Sequence, residues 1–222
     1  MFDSPAGKPP KPRRSEQHCS FRIWIDGVGG YLVCPGKSVW IGQAIPQAGI
    51  DIPIEGDLHR RHACIELHRG EHLISPAGEL KIDGVIARNG ISPLIDGQEL
   101  QLGERARLKY KQPHPLSQTA RLEFSSGNRT TPWSDAVLLM AQTIIMGPSA
   151  KNHIECPDWE RTLILLRQGG EWMCRTSGEF EVDGRICVDE TQIRLDSNIS
   201  GEDFSLTLEP VSYTHLTLPT KA

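Results

Sequence analysis

Apolar side chains recur at every second position in short runs along most of the chain. The run from Phe21 to Ile25 has large apolar residues at its first, third and fifth positions. A period of two places alternate side chains on opposite faces of a β-strand, whereas a helix requires a period of about 3.6. Clusters of Gly, Asp, Asn and Pro separate the runs, as turn residues do. The pattern therefore predicts an all-β protein.

This arrangement of strands occurs twice along the chain. Short motifs recur in the same order, namely GELKIDG at 78–84 and GEFEVDG at 178–184, followed by GERARLKY at 103–110 and GEDFSLTL at 201–208. Each copy spans roughly 95 residues, which is the size of one small β-sandwich domain. The sequence therefore predicts two tandem β-sandwich domains.

Composition at the two ends and between the copies sets the predicted boundaries. The N-terminal segment is rich in proline and basic residues and has too few large apolar side chains to offset the entropy of ordering. The stretch VSYTHLTLPT near the C-terminus resembles the translation of a sequencing adaptor, so we expect it to be non-native. The predicted organisation is a basic tail at 1–18, a first domain at 19–112, a linker at 113–118, a degenerate second domain at 119–210 and a non-native tail at 211–222.

Overall composition excludes several classes of function. The chain has 222 residues, 38% of them hydrophobic and 23% charged, with a net charge of −4, so we expect neither nucleic acid nor a membrane as the main partner. The six cysteines form no C-x-x-C pair, and we expect reduced thiols without a disulfide framework. Phosphate-binding glycine loops and G-x-S-x-G elbows are also missing. These features predict a soluble, cytoplasmic, non-catalytic protein without a cofactor.

Four motifs of the first copy resemble the signature of the forkhead-associated domain family. WIGQ at 40–43 stands at its Gly-Arg motif, LHRRHACIEL at 58–67 at its Ser-Arg-x-His-Ala motif, KIDG at 81–84 at its Asn-Gly turn, and LQLGERARLKY at 100–110 at its closing strands. The resemblance implies an eleven-stranded sandwich whose loops at one end bind phosphothreonine peptides. It covers nearly all of the first domain.

Arg60 and His62 are in register with this signature, and three neighbouring positions depart from it. Gln43 replaces the arginine of the Gly-Arg motif, His59 replaces the serine, and Gly78 stands where the asparagine that holds the peptide would be. Phosphothreonine carries about −1.5 to −2 charges and needs converging cationic and hydrogen-bonding donors. We therefore expect Arg60, helped by His59 and Gln43, to be the candidate phosphate-binding residue.

The resemblance also assigns structural roles and separates the two copies. It implies that His62 bonds to loop backbone and that Gly42 supports the site. In the second copy Glu160 brings a negative charge near the phosphate position, and we expect a structural or docking role there.

Three functions remain open from the sequence. The first is protein association, with phosphothreonine recognition by the first domain. The second is a degenerate scaffold or dimerisation module without phosphate recognition. The third is metal binding by histidines, for which His59, His62, His68, His72 and Cys64 are the available ligands. In the strand pattern these side chains do not converge, so we expect no metal site and place His68 and His72 in solvent.

Overall fold

The structure is a computed structural model that describes residues 20–45, 49–87, 90–114 and 116–211. These residues form twenty β-strands and no helix, which confirms the predicted all-β class. The predicted tail at 1–18 lies outside the described residues, and so does the tail at 211–222 apart from Val211.

The strands follow in chain order. Eleven lie in the first half, namely β1 (Phe21–Ile25), β2 (Gly29–Cys34), β3 (Ser38–Gln43), β4 (Ile52–Ile54), β5 (Ala63–His68), β6 (Glu71–Pro76), β7 (Leu80–Ile82), β8 (Val85–Ile86), β9 (Ser92–Pro93), β10 (Glu99–Leu102) and β11 (Ala106–Lys111). Nine lie in the second half, namely β12 (Ala120–Phe124), β13 (Ala136–Leu139), β14 (Thr143–Gly147), β15 (Ile154–Glu155), β16 (Leu163–Gln168), β17 (Glu171–Val182), β18 (Arg185–Ile193), β19 (Asn198–Ser200) and β20 (Ser205–Pro210).

Local sequence explains where these strands run and turn. In β1 the side chains of Phe21, Ile23 and Ile25 are buried, whereas the residues between them are half-buried. The turns after β7 and β17 use Asp-Gly pairs in which Asp83 and Asp183 have positive φ, at 50° and 52°. Asp and Gly tolerate this left-handed conformation better than other residues do. Alternation and turn chemistry therefore produce the strand pattern without any helix.

The first sandwich encloses one hydrophobic core between two layers. One layer has the order β13-β12-β11-β10-β7-β8, and the other has the order β4-β3-β5-β6-β9. Buried aliphatic side chains such as Ile41, Ile65, Leu100 and Leu108 fill the space between them. This packing holds the loops that follow β3, β4 and β6 at one end of the sandwich.

The second sandwich repeats this plan around a separate core. One layer has the order β2-β1-β20-β19-β17 and the other has the order β15-β14-β16-β17, with β18 pairing along β17. The twelve-residue strand β17 takes part in both layers, because the register of its pairing with β18 shifts between Arg175 and Glu179. Because of this shift, β17 pairs with strands of both layers, whereas in the first sandwich β6 belongs to one layer and β7 to the other.

The first strands of the two repeats are exchanged. Strand β1 pairs with β20, the last strand of the second repeat, with Ile23 opposite Leu208. Strand β12 pairs with β11, the last strand of the first repeat, with Leu122 opposite Tyr110. Each core therefore contains strands from both of the segments 19–112 and 119–210.

Two parallel strands, β2 and β13, join the two sandwiches next to the exchanged strands. Strand β2 runs parallel to β13, with Val33 opposite Leu138. Alternate residues of β2 face different cores, since Tyr31 and Val33 pack in the second sandwich while Leu32 and Cys34 pack in the first. The two sandwiches thus share one continuous sheet and bury their apolar faces on opposite sides of it.

The parallel pair also places the loops of both sandwiches at one end of the molecule. The turn before β2 and the loop before β13 lie side by side, and the Asp135 carboxylate accepts a hydrogen bond from the Gly30 amide at 2.8 Å. That loop contacts the first sandwich at the start of the β4–β5 loop, where the Glu55 amide donates to the Arg129 carbonyl at 3.0 Å. The turn contacts the second sandwich through Asp26, whose amide donates to the Ser205 carbonyl.

Candidate functional site

Arg60 and His59 lie on the loop between β4 and β5, and both side chains are exposed. Among the described residues, no hydrogen bond or ion pair engages the Arg60 guanidinium. The Nδ1 atom of His59 lies 3.3 Å from the Ala77 carbonyl oxygen on the β6–β7 loop. The Arg60 guanidinium is therefore available to a ligand, whereas the neighbouring His59 ring already contacts the Ala77 carbonyl and packs edge-on to the His62 ring.

His62 fixes the backbone of this loop. Its Nδ1 accepts a hydrogen bond from the His59 amide at 3.2 Å, and its Nε2 lies 2.8 Å from the Glu79 carbonyl oxygen. Because Nδ1 accepts, the proton of the neutral ring is on Nε2, which donates to Glu79. The ring is 2% exposed, and this burial lowers the pKa of His62 despite the hydrogen bond to Glu79. A neutral, buried imidazole thus links the two loops.

Gly42 and Gly78 allow the loops to approach closely. A Cβ atom on Gly42 would lie 2.1 Å from the Arg60 carbonyl oxygen, and one on Gly78 would lie 2.6 Å from Cε1 of His62. Neither position accepts a side chain without displacing its neighbour. Gly42 therefore supports the backbone of Arg60, and Gly78 supports the ring of His62 but offers no side chain to a peptide.

Gln43 adjoins this group through its backbone. Its amide donates to the His59 carbonyl oxygen at 3.0 Å, and its side chain is half-buried. The four residues predicted from the sequence as the phosphopeptide site thus lie close together, Gln43 at the end of β3, Arg60 and His59 on the β4–β5 loop and Gly78 on the β6–β7 loop. We call residues 42–43, 59–62 and 77–79 the first loop end.

Arg61 is separate from this group although it follows Arg60. Its guanidinium lies over the Trp40 ring, 5.0 Å from the ring centroid. Stacking of a cation on an aromatic face is a stabilising contact in its own right. Of the two arginines, only Arg60 remains open to an incoming anion.

The second sandwich has an equivalent end with different chemistry. Strand pairing places Leu163 opposite Met146 as Ala63 is placed opposite Ile41, so position 160 corresponds to position 60. Glu160 therefore stands where the first loop end has its open arginine. We call residues 147, 160–162, 177–179 and 201–204 the second loop end.

Arg161 is bound to a carboxylate at the second loop end. Its Nε lies 2.9 Å from Oδ1 of Asp203, whose Oδ2 accepts the backbone amides of Glu160 and Arg161 at 2.7 Å and 3.0 Å. The Asp203 side chain is only 12% exposed. Its burial raises the pKa, but the hydrogen bonds from Arg161 and the two amides outweigh that effect and hold the pKa of Asp203 below its usual value.

Arg161 also does the structural work that His62 does in the first sandwich. Its Nη1 donates to the Glu179 carbonyl oxygen at 3.0 Å and to the Ser177 carbonyl oxygen at 3.2 Å. Glu179 corresponds to Glu79, the acceptor of the His62 hydrogen bond. The stretch of β17 at which the register shifts is thus held by a guanidinium instead of an imidazole.

The histidines that were considered as metal ligands are dispersed. Among the described residues, no group of three His, Cys, Asp or Glu side chains could hold a metal ion. His68 is exposed, as expected. The expectation that His72 lies in solvent is wrong, because its ring is 5% exposed and its Nδ1 lies 2.9 Å from the Tyr110 hydroxyl. Burial lowers the pKa of His72 to about 4.

Two features at or near the loop ends have no signal in the sequence. The Arg161–Asp203 pair joins residues 42 positions apart. Trp133, on the loop before β13, is 48% exposed and stacks on Trp24 with ring centroids 6.4 Å apart. Both features arise from tertiary packing of loops, which the period-two pattern does not describe.

Comparison with protein-family models finds no match, and comparison with curated proteins finds none either. None of the described residues belongs to a helix of the length and apolarity that crossing a membrane requires.

Proposed function

We propose that the protein is a non-catalytic, forkhead-associated-like pair of β-sandwiches that mediates protein association, and that its first loop end binds a phosphothreonine peptide. The observation that carries this proposal is the open guanidinium of Arg60, exposed beside His59 on a loop whose backbone is fixed by His62. Loops held by a rigid scaffold are where binding residues concentrate.

The donors at the first loop end suit a single phosphate group. Arg60 offers five N–H donors in a planar fork, which matches the geometry of phosphate oxygens. His59 adds a second donor when its ring is protonated, and the Gln43 amide group can add a neutral one. A charge-assisted hydrogen bond stabilises a complex by roughly 1.5 to 3 kcal/mol. Arg60 therefore supplies the main interaction, and the other two residues modify it.

The direct test compares phosphorylated and unphosphorylated threonine peptide libraries on the full chain. Peptides selected at pH 7.5 should lose about ten- to a hundredfold in affinity with Arg60→Ala, as expected for loss of one charge-assisted hydrogen bond. Arg107→Ala removes an equal charge from an exposed position on β11 and should leave affinity unchanged. Binding that ignores the phosphate, or that survives Arg60→Ala, would overturn the proposal.

A second measurement tests the contribution of His59. Histidine gains a proton between about pH 8 and pH 5, and the imidazolium donates from both nitrogens. The affinity of the native chain relative to His59→Gln should therefore rise between pH 7.5 and pH 6. The ratio cancels the titration of the phosphate, whose second pKa is near 6. A constant ratio would show that His59 does not contact the ligand.

The second candidate function is a scaffold without phosphate recognition. Two observations favour it: Gly78 has no side-chain amide to hold a peptide backbone, and Gln43 is neutral where the family signature has arginine. In that case phosphorylated and unphosphorylated peptides would bind equally, and partners would contact surfaces outside the first loop end.

A further inference from the structure

Strand β18 has an open edge that carries exposed apolar side chains. It pairs with β17 on one side, and among the described residues no strand pairs with its other side. Close to the turn that joins it to β17, Ile186 is 75% exposed and Val188 is 58% exposed. An open edge of this kind is a template for pairing with another strand. No residue of the first loop end belongs to it, so its role is independent of phosphothreonine binding.

The turn between β17 and β18 determines which backbone groups face the open edge. Its residues at 183–184 have φ of 52° and 80°, as in a two-residue type I′ turn. Such a turn is closed by a hydrogen-bonded pair, here Val182 and Arg185. Hydrogen-bonded and non-hydrogen-bonded pairs alternate along antiparallel strands, so the amides and carbonyls of Ile186 and Val188 point away from β17. These groups are available to a second strand.

The sequence of this edge is complementary to itself about Cys187. In an antiparallel pair of two β18 strands centred on Cys187, Ile186 of one copy lies opposite Val188 of the other, on one face of the sheet. The same two residues exchange both of their backbone hydrogen bonds. In this register Arg185 lies opposite Asp189 on either side of the centre. Apolar residues therefore meet apolar residues, and each charge meets its opposite.

The charges at the two ends of this register attract each other. Arg185 is exposed and has no carboxylate partner among the described residues. Asp189 accepts the Gly178 amide through Oδ1 at 2.9 Å, which leaves Oδ2 for a cation. Glu179 and Glu181 lie on β17, and the paired sheet would separate those of the two copies by three strand spacings, about 14 Å. This exceeds the screening length of about 8 Å at physiological salt, so attraction outweighs repulsion.

Cys187 lies on the two-fold axis of this register. Its side chain is half-buried, and its Sγ lies 3.5 Å from the Arg185 carbonyl oxygen of its own strand. Its backbone points toward β17, so it would form a non-hydrogen-bonded pair with the equivalent cysteine, with Cα atoms about 4.5 Å apart. That separation is within the range of a disulfide, about 4.4 to 6.8 Å. The thiol of Cys187 can therefore report on the register.

We propose that two copies of this chain associate through the open edges of β18, antiparallel and centred on Cys187. Ile186 and Val188 of the two copies cover each other, and pairs between Arg185 and Asp189 close both ends. A two-fold dimer is the commonest closed assembly of soluble proteins. Because the contact is short, the dimer is a weak one, with a Kd on the order of tens of micromolar.

Sedimentation of the full chain at increasing concentration measures this association. Val188→Lys should raise the Kd of the dimer about tenfold or more, because a charge at an open edge opposes strand pairing. Val85→Lys makes the same change at an exposed position of β8, the edge strand of the first sandwich, and should leave the Kd unchanged. A chain that stays monomeric at about 0.5 mM would overturn the proposal. So would a dimer that Val85→Lys weakens as much as Val188→Lys does.

Charge reversal tests the ends of the register. Arg185→Glu places like charges opposite each other at both ends and should raise the Kd of the dimer about three- to tenfold, as for two exposed ion pairs. Arg107→Glu makes the same change at an exposed position of β11 and should have no effect. Equal effects of the two reversals would contradict the register.

Oxidation tests the position of the two-fold axis. Diamide accepts two electrons and two protons from a pair of thiols, which join as one disulfide. Cys19 lies outside the described residues and is replaced, so the Cys19→Ser chain is the starting point. On a non-reducing gel this chain should give a crosslinked dimer, and the additional change Cys187→Ser should abolish it. Failure of the Cys19→Ser chain to crosslink, or crosslinking that survives Cys187→Ser, would rule out the proposed pairing.

Discussion

The first and second loop ends have the same backbone plan and opposite uses of arginine. At both ends a backbone carbonyl oxygen, that of Glu79 or of Glu179, accepts a hydrogen bond from a side chain on the loop that precedes β5 or β16. The first loop end uses the imidazole of His62, which leaves Arg60 open. The second uses Arg161 and neutralises it with Asp203. At the first loop end an imidazole does this structural work, so neither Arg60 nor Arg61 is needed for it, and Arg60 makes no hydrogen bond or ion pair among the described residues.

The largest expected difference concerns the two arginines themselves. Arg161→Ala should destabilise the protein by about 3 kcal/mol, because it leaves the largely buried Asp203 carboxylate without its counter-charge. Arg60→Ala should change stability by less than about 0.5 kcal/mol, as exposed substitutions usually do. Urea unfolding measures both, with the slope of the transition expected to stay constant. Equal decreases in the free energy of unfolding for the two variants would show that Arg161 has no larger structural role than Arg60.

A smaller difference should separate two equivalent glycines, Gly78 on the β6–β7 loop and Gly178 in β17. In Gly78→Ala the new methyl group would meet the His62 ring, and overpacking of this kind costs about 2 kcal/mol. In Gly178→Ala the Cβ would lie 3.8 Å from Nη1 of Arg161, an ordinary contact, so only the positive φ of 79° opposes the change. That strain costs about 1 kcal/mol. Thermal unfolding of the two variants would contradict this reasoning if Gly178→Ala were the more damaging.

As the pH falls, the first loop end should lose local stability at a higher pH than the second loop end does. Burial lowers the pKa of His62, so the unfolded chain takes up its proton at higher pH than the folded chain does. The stability contributed by His62 is therefore complete above about pH 6.5 and is lost as the pH falls through the folded value. The pKa of Asp203 is also lowered, but its contribution is complete above about pH 4 and is lost only below it.

Hydrogen exchange can measure this order directly. Between pH 7 and pH 5 the protection factor of the His59 amide, which donates to His62, should fall relative to that of the Glu160 amide, which donates to Asp203. His62→Gln should abolish the pH dependence of this ratio. A parallel decrease at both amides would mean that the whole protein loosens, for example through the buried His72 and His153, whose pKa values are lowered to about 4 by burial.

A small difference should also separate Arg61 from Arg161, which has the same register position. Arg61→Ala removes only its contact with the Trp40 ring and should destabilise the protein by roughly 0.5 to 1 kcal/mol. Urea unfolding monitored by tryptophan fluorescence measures this loss. A cost as large as that of Arg161→Ala would show that Arg61 has a structural role not visible in its contacts.

Much of the fold follows from the sequence because its determinants are local. Period-two alternation predicts strands such as β1, and the Asp-Gly pairs at 83–84 and 183–184 predict the turns that the structure contains. The recurring motifs predict that one architecture occurs twice. At the candidate site, the register of Arg60 with its neighbours predicts which loops are close together.

The remaining features depend on contacts between residues far apart in the sequence, which local patterns do not determine. Strands β1 and β12 have equal length and similar amphipathic character, so either could pair with β11 or with β20. The parallel contact between β2 and β13 decides between these pairings, and it joins residues about a hundred positions apart. Likewise, His72 looks like an exposed hairpin residue until Tyr110 packs against it.

The parallel contact between β2 and β13 has a consequence for affinity. An antiparallel contact would send the two loop ends to opposite poles of the molecule, whereas the parallel one turns both toward the same side. A partner bound at the first loop end, as proposed above, would therefore lie within reach of the second. A contact there would be intramolecular, and two individually weak contacts would together give a higher affinity.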